Sequence, residues 1–131
     1  MREIECRGKR IDNGELVYGD LINSHCDMKT YIYQERCVDN SNIFLVEVIP
    51  ETVGQFTELL DKNKAKIYEG DILGNSTTYN LEVTYCEGHP CIKFIDGGEV
   101  YYDILLQEEI DEEHYYLIGN IHDNPELLEE E

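Results

Sequence analysis

Apolar positions in this chain recur at intervals of two and are cut by turn residues at short spacing, a pattern of short strands. Ile4, Cys6 and Ile11 precede Asp12-Asn13-Gly14, after which Leu16 and Tyr18 alternate with less apolar neighbours. Asn-Gly between two such runs predicts a tight hairpin whose central residues both take φ > 0. Tyr31-Ile32-Tyr33 and the run Ile43 to Ile49 predict strands by their β-branched and aromatic content, with Asp39-Asn40-Ser41-Asn42 turning between them. Residues 55–60 predict one helical turn. Beyond Gly70, Leu81-Glu82-Val83-Thr84-Tyr85 alternates cleanly, Glu87-Gly88-His89-Pro90 turns, and Cys91 to Ile95 returns. Asp96-Gly97-Gly98 turns again before Val100 to Leu106, and Tyr115 to Ile118 predicts a last strand. Such close turn signals point to a meander or small barrel and not to βαβ units. Asn124-Pro125-Glu126 reads as a helix start, with Asn as cap, Pro in the first turn and an acid suited to the dipole.

A length of 131 residues fits one domain, residues 1–131, and ten tyrosines supply large side chains for core and interface. No apolar run approaches the ~20 residues that span a bilayer, and Met1-Arg2-Glu3-Ile4-Glu5 is not a signal peptide, so the expectation is a soluble, cytoplasmic protein. The five cysteines, Cys6, Cys26, Cys37, Cys86 and Cys91, then read as reduced thiols.

Charge changes the picture more than composition does. The net charge is −19, and residues 66–131 hold only Lys66 and Lys93 against seventeen acids. Phosphate backbones are held by Lys and Arg displacing counterions, so direct nucleic-acid binding by this half is excluded, as is an anionic membrane surface. The basic group Arg2, Arg7, Lys9 and Arg10 is too small to reverse that field. A sharper reading is an acidic mimic of DNA that occupies a host DNA-binding protein. It requires carboxylates at phosphate-like intervals, and alternate residues of a strand, ~6.6 Å apart, offer that step.

Candidate chemistry is sparse. Cys86, His89 and Cys91 offer soft ligands, with His25, Cys26 and Cys37 elsewhere, but C-x2-H-x-C is not a standard zinc spacing and the segment already reads as a hairpin. Asp111-Glu112-Glu113-His114, with Asp103, Glu108 and Glu109, would supply oxygen ligands to a metal-dependent hydrolase only if they converged from separate elements. A run in one segment reads instead as a solvated acidic face. No nucleophile elbow, phosphate loop or dinucleotide fingerprint occurs, and a lone His122 after a strand reads as a packed or capping residue. No catalytic residue, metal or cofactor is therefore assigned.

Five ordered segments carry a family resemblance: Arg7-Gly8-Lys9, Val17-Tyr18-Gly19-Asp20, Thr52-Val53-Gly54-Gln55, Ile67-Tyr68-Glu69-Gly70-Asp71, and Ile118-Gly119-Asn120-Ile121 followed by Asn124 to Leu128. Together they resemble the YopX family of phages and prophages of Gram-positive bacteria. The resemblance implies a mainly β fold, an SH3-type small barrel or roll with hairpin extensions and a short C-terminal helix. It carries over no enzymatic activity, and it makes homo-oligomers an expectation. Two departures stand out: Glu58 and Lys64 occupy positions where the family favours glycine. Physically the segments read as scaffolding. Gly54, Gly70 and Gly119 stand where strands begin or end, and Asp20 and Asp71 suit turn hydrogen bonds. Gln55, Thr57, Tyr68, Asp71 and Asn120 are the candidate binding residues, because they are polar and lie inside the most motif-like stretches. The resulting expectation is an accessory protein that acts by binding a protein or itself and not by catalysis.

Overall fold

The computed structural model describes residues 5–34, 45–75 and 79–128; Cys37, the turn at 39–42, Ile43, Phe44 and the terminal glutamates lie outside them. The chain divides into two units, Met1–Phe56 and Thr57–Glu131. Both are mainly β, and all strand pairs are antiparallel.

In the first unit, β1 (Cys6–Lys9), β2 (Leu16–Asn23), β3 (Thr30–Tyr33), β4 (Leu45–Glu47) and the start of β5 (Gly54–Leu60) form a sheet in the order β4-β3-β2-β1-β5. Period-two alternation puts Cys6, Val17, Ile32, Val46 and Val48 into one apolar cluster, with Val53 packed against it. Gly19 stands opposite Cys6, and a Cβ there would collide with the backbone carbonyl of Tyr33, so β2 and β3 approach closely only because residue 19 has no side chain.

The first hairpin differs from the two-residue turn its Asn-Gly predicts. Arg10 and Glu15 close a four-residue loop, Gly14 donates to the Arg10 carbonyl at 3.0 Å, and Gly14 alone has positive φ. Side chains account for the longer loop. Arg10 forks onto Asp12 at 2.9 and 2.8 Å, Asn13 Oδ1 accepts from the Glu15 amide at 2.9 Å, and the Ile11 amide donates to the Glu47 carbonyl at 3.2 Å.

The second unit continues with the end of β5 beside β6 (Lys66–Tyr68), followed by β7 (Asp71–Gly74), β8 (Leu81–Cys86), β9 (His89–Asp96), β10 (Glu99–Ile104), α1 (Gln107–Glu113) and β11 (Tyr116–Asn120). β7 to β11 form a five-stranded sheet in the order β10-β9-β8-β7-β11. Both internal hairpins, β8–β9 and β9–β10, have two-residue turns with φ > 0 at both positions, Glu87-Gly88 and Gly97-Gly98. Ile67, Leu73, Leu81, Val83, Ile92, Leu105, Ile110 and Tyr115 make the core.

Three expectations are corrected, and the solvated acidic run gains a conformation. The five-stranded sheet runs from β10 to β11 without rejoining itself, so no SH3-type barrel closes among the described strands. Residues 55–60 are strand, because Gly54 and Gln55 pair with Arg7 and Cys6 and the Phe56 amide donates to the Glu5 carbonyl at 2.7 Å; tertiary pairing overrides local preference. The acidic run 107–113 is the α-helix. Its one buried anchor is Ile110, Glu108 and Glu109 suit the first-turn dipole, and His114 closes it in the left-handed conformation. The C-terminal helix is only a 3₁₀ turn, Pro125–Leu128, since Asn124 Oδ1 turns back to accept from the Asn120 amide at 3.3 Å.

Glu58 and Lys64, the two departures from family glycines, sit at φ of 72° and 69°. A left-handed conformation costs a β-carbon-bearing residue ~1–2 kcal/mol, against an entropic penalty of ~0.5–1 kcal/mol for glycine. Glu58→Gly and Lys64→Gly should therefore each stabilise the chain, by roughly 0.5–1 kcal/mol. Gly70, at φ 94°, predicts the opposite for Gly70→Val. Thermal melts followed by circular dichroism should rise for the first two variants and fall for the third; unchanged melts would contradict the backbone assignment.

Candidate functional site

The five candidate residues from the sequence divide between the units. Gln55 lies half-buried in β5 opposite Cys6, in the first unit. In the second unit Thr57 is buried; its hydroxyl donates to the Ile67 carbonyl at 2.8 Å and accepts from the Leu59 amide at 3.2 Å. Tyr68, Asp71 and Asn120 come together at one end of the sheet. The buried Asp71 Oδ2 accepts from the Tyr68 amide at 2.7 Å, Asn120 pairs with Asp71 across β11 and β7, and the Ile121 amide donates to the Gly70 carbonyl at 2.8 Å. Asn120 Oδ1 accepts from the amides of His122 and Asp123, both at 3.0 Å, and its Nδ2 donates to Asp123 Oδ2 at 3.0 Å. These polar groups tie turns to strands.

Asp61, outside the five candidates, does the same. Its carboxylate is buried; Oδ1 accepts from the amides of Asn63 and Ala65 at 2.8 and 2.9 Å, and Oδ2 accepts from the Leu117 amide at 3.0 Å. The adjacent Lys62 amide donates to the Tyr115 carbonyl at 2.9 Å, and its ammonium lies 4.8 Å from the centre of the Tyr116 ring. The available signal was Asp-x-Asn, the spacing of a side-chain-closed turn.

The surface left open lies on β10. All six of its residues are exposed, although they include Val100, Tyr101, Tyr102 and Ile104. Among the described strands β10 is an edge, pairing on one side only, with β9. Register divides its side chains by face. Tyr101 and Asp103 stand opposite Phe94 and Ile92 on the core side, while Val100, Tyr102 and Ile104 form an apolar column on the other. Tyr101 stacks on Phe94 at 5.4 Å between ring centres, and Phe94 stacks on Tyr79 at 5.7 Å. Acids gather at both ends of the strand. Tyr101 Oη donates to Glu99 at 3.0 Å, and this bond, with Asp96 nearby, raises the phenol pKa. At the other end, burial first, and then the charges of Asp103, Glu113 and Glu112, push the Glu109 carboxyl above its ordinary range.

Other candidates lead less far. Cys86 and Cys91 project from adjacent strands, and burial first, then a hydrogen bond that the Cys91 thiol donates to Cys86, raise the Cys91 pKa, which lowers its reactivity. Among the described residues no three His, Cys, Asp or Glu side chains converge on one point. No described strand carries acids at alternate positions, and Glu99 and Asp103, ~13 Å apart along β10, span twice the step that a DNA mimic built on a strand needs. A hollow in the first unit, lined by Arg10, Ile11, Asp12, Leu45, Val46 and Glu47, has its one cation already bound to Asp12.

A profile of the family described as YopX protein matches residues 5–129. The crystal structure of protein EF1440 from Enterococcus faecalis superposes on this chain with a TM-score of 0.60 at 24% identity, covering 98% of this chain and 100% of that one. At that identity the likeness speaks for the fold alone. No curated protein matches the sequence. Among the described residues no helix is long and apolar enough to cross a membrane.

Two outcomes are expected from this geometry. Asp61→Ala strands three amides and should cost about 3 kcal/mol, read as a lowered denaturant midpoint with its slope unchanged. Glu109, whose pKa is raised above 4.5 in the folded chain, binds its proton more tightly there than in the unfolded chain. Its charge is therefore harmless below pH 4.5 and becomes destabilising as pH rises through the folded-state value. Glu109→Gln should raise the melting temperature at neutral pH, with the gain vanishing in acid; a gain independent of pH would contradict the crowding of these carboxylates.

Proposed function

The chain belongs to the YopX protein family, and from that premise we propose that it is a phage or prophage accessory protein of the bacterial cytoplasm that acts by binding another protein or itself and not by catalysis. One contrast carries this reading. Thr57, Asp61, Asp71 and Asn120 have their polar atoms engaged in holding turns, whereas β10 presents to solvent an apolar column and an edge that no other described strand pairs. Exposed aromatic and aliphatic side chains in a row are a feature of protein interfaces. The acidity of the second half disfavours nucleic acid as a direct partner and favours protein surfaces rich in Lys and Arg.

A pull-down of the tagged full chain from its bacterial host after prophage induction, washed at low and at high salt and read by mass spectrometry, tests the reading. A discrete protein partner, or untagged copies of the chain, should be retained. Recovery of nucleic acid alone, or of nothing above the untagged control, would contradict it.

A further inference from the structure

The two-residue turn at Gly97-Gly98 fixes which backbone groups of β10 face outward. In such a hairpin the closing pair, Glu99 and Asp96, exchanges both hydrogen bonds, and bonding then recurs at every second residue. Tyr101 and Asp103 therefore bond to β9, and the next residue in this series, Leu105, donates to the Pro90 carbonyl at 3.0 Å as that phase requires. The amides and carbonyls of Val100, Tyr102 and Ile104 point away from the sheet. The Ile104 amide is taken by Asp103 Oδ1 at 2.9 Å, whereas those of Val100 and Tyr102 have no partner among the described residues.

Edge strands are ordinarily blunted by a lysine, a proline, a bulge or an inward-pointing charge. β10 has no lysine, proline or bulge and pairs with β9 in unbroken register over all six residues; its one blunting device is the acidic pair Glu99 and Asp103, which repels acidic strands and leaves basic ones admissible. Its two faces differ in chemistry. On the face of Tyr101, Glu99 and Asp103 stand four residues apart, with Asp96 beside the first and Glu109 beside the second. On the other face Val100, Tyr102 and Ile104 are apolar and about half exposed, at 49%, 57% and 54%.

We propose that the β10 edge takes up an extended segment of another protein as an added antiparallel or parallel strand, and that this segment alternates basic with apolar residues. This rests on the protein-binding reading above and names its partner by chemistry. Backbone bonds to Val100 and Tyr102 provide the pairing. Alternate Lys or Arg side chains meet Glu99 and Asp103, and the intervening apolar ones cover Val100, Tyr102 and Ile104. Charge selects this occupant over a second copy. Two β10 strands paired edge to edge would bring Glu99, Asp103 and the α1 acids of both copies together with no cation in either strand.

The test is fluorescence anisotropy at low salt with the full chain and a labelled Lys-Val repeat peptide, set against a Lys-Pro repeat of equal charge that cannot pair and a Glu-Val repeat that is repelled. The Lys-Val peptide should bind at least about tenfold tighter than either control. Tyr102→Pro removes an outward amide without touching a bond to β9, and should abolish that preference. The double charge reversal Glu99→Lys with Asp103→Lys, which leaves the backbone intact, should weaken Lys-Val binding by at least about tenfold and keeps the test decisive if the proline variant melts early. Equal binding of Lys-Val and Lys-Pro, or unchanged binding by folded variants, overturns strand addition. So does a dimer in sedimentation that Tyr102→Pro dissociates, since the edge would then belong to a second copy. A partner pulled down equally by wild type and Tyr102→Pro would sink this inference while leaving the protein-binding reading in place.

Discussion

The carboxylate of Asp61 is the constraint on which the C-terminal unit rests. A buried charge is tolerated only when its lone pairs are filled, and three amides fill them here: two in the turn it closes and one in β11, fifty-six residues away. The turn between β5 and β6 is thereby fixed to the strand that forms one side of the five-stranded sheet. The arrangement demands a left-handed residue at position 64, and the chain accepts lysine there at a cost in backbone energy. Gln107, at the start of α1, extends the tie: its side chain accepts from the Leu60 amide at 2.9 Å and donates to the Leu60 carbonyl at 2.8 Å. The helix is held in place just after the edge strand β10 ends.

With turns, β11 and α1 fixed in this way, the sheet cannot readily shift to bury β10. Tyr101 finds shelter by stacking on Phe94, but Val100, Tyr102 and Ile104 face the other way and stay in water. Leaving them about half exposed forgoes roughly half of the ~1.5–3 kcal/mol that full burial of an aliphatic side chain is worth, and a partner that covers them would recover it. The surrounding acids disfavour copies of the same surface and nucleic acid there, and favour the basic strand proposed above.

Much of the fold was legible in the sequence. The β8–β9 and β9–β10 hairpins follow from Glu87-Gly88 and Gly97-Gly98, where turn chemistry alone dictates the geometry. Asn13-Gly14 misled because Arg10, Asp12 and Asn13 build a longer loop from side-chain bonds that no dipeptide rule contains. The strand at 55–60 is set by pairing with β1 across some fifty residues, and the helix at 107–113 by burial of Ile110 alone, so neither leaves a periodic trace. Glu58 and Lys64 were legible only as departures from the glycines that the family resemblance implies, and their positive φ is a conformation that glycine adopts without strain. The candidate site was legible in part. Polar residues mark the motif-like stretches, yet most of them serve turns, because turns are what constrain polar side chains most locally. An edge strand cannot be seen in one sequence, since being an edge is a property of topology. The nearest trace is that Val100 to Leu106 is apolar on both alternate sets but for Asp103, unlike a strand with one wet face.

A firmly tied sheet leaves the outward side of β10 unpaired among the described strands. Residue-resolved amide exchange on the isolated protein measures this most directly. Leu117, Ala65, Tyr101 and Asp103 should exchange slowly, while Val100 and Tyr102, next to them in the same strand, should exchange at nearly the rate of an open chain. Slow exchange at Val100 and Tyr102 in the isolated protein would mean that the edge is already covered, and would contradict the account.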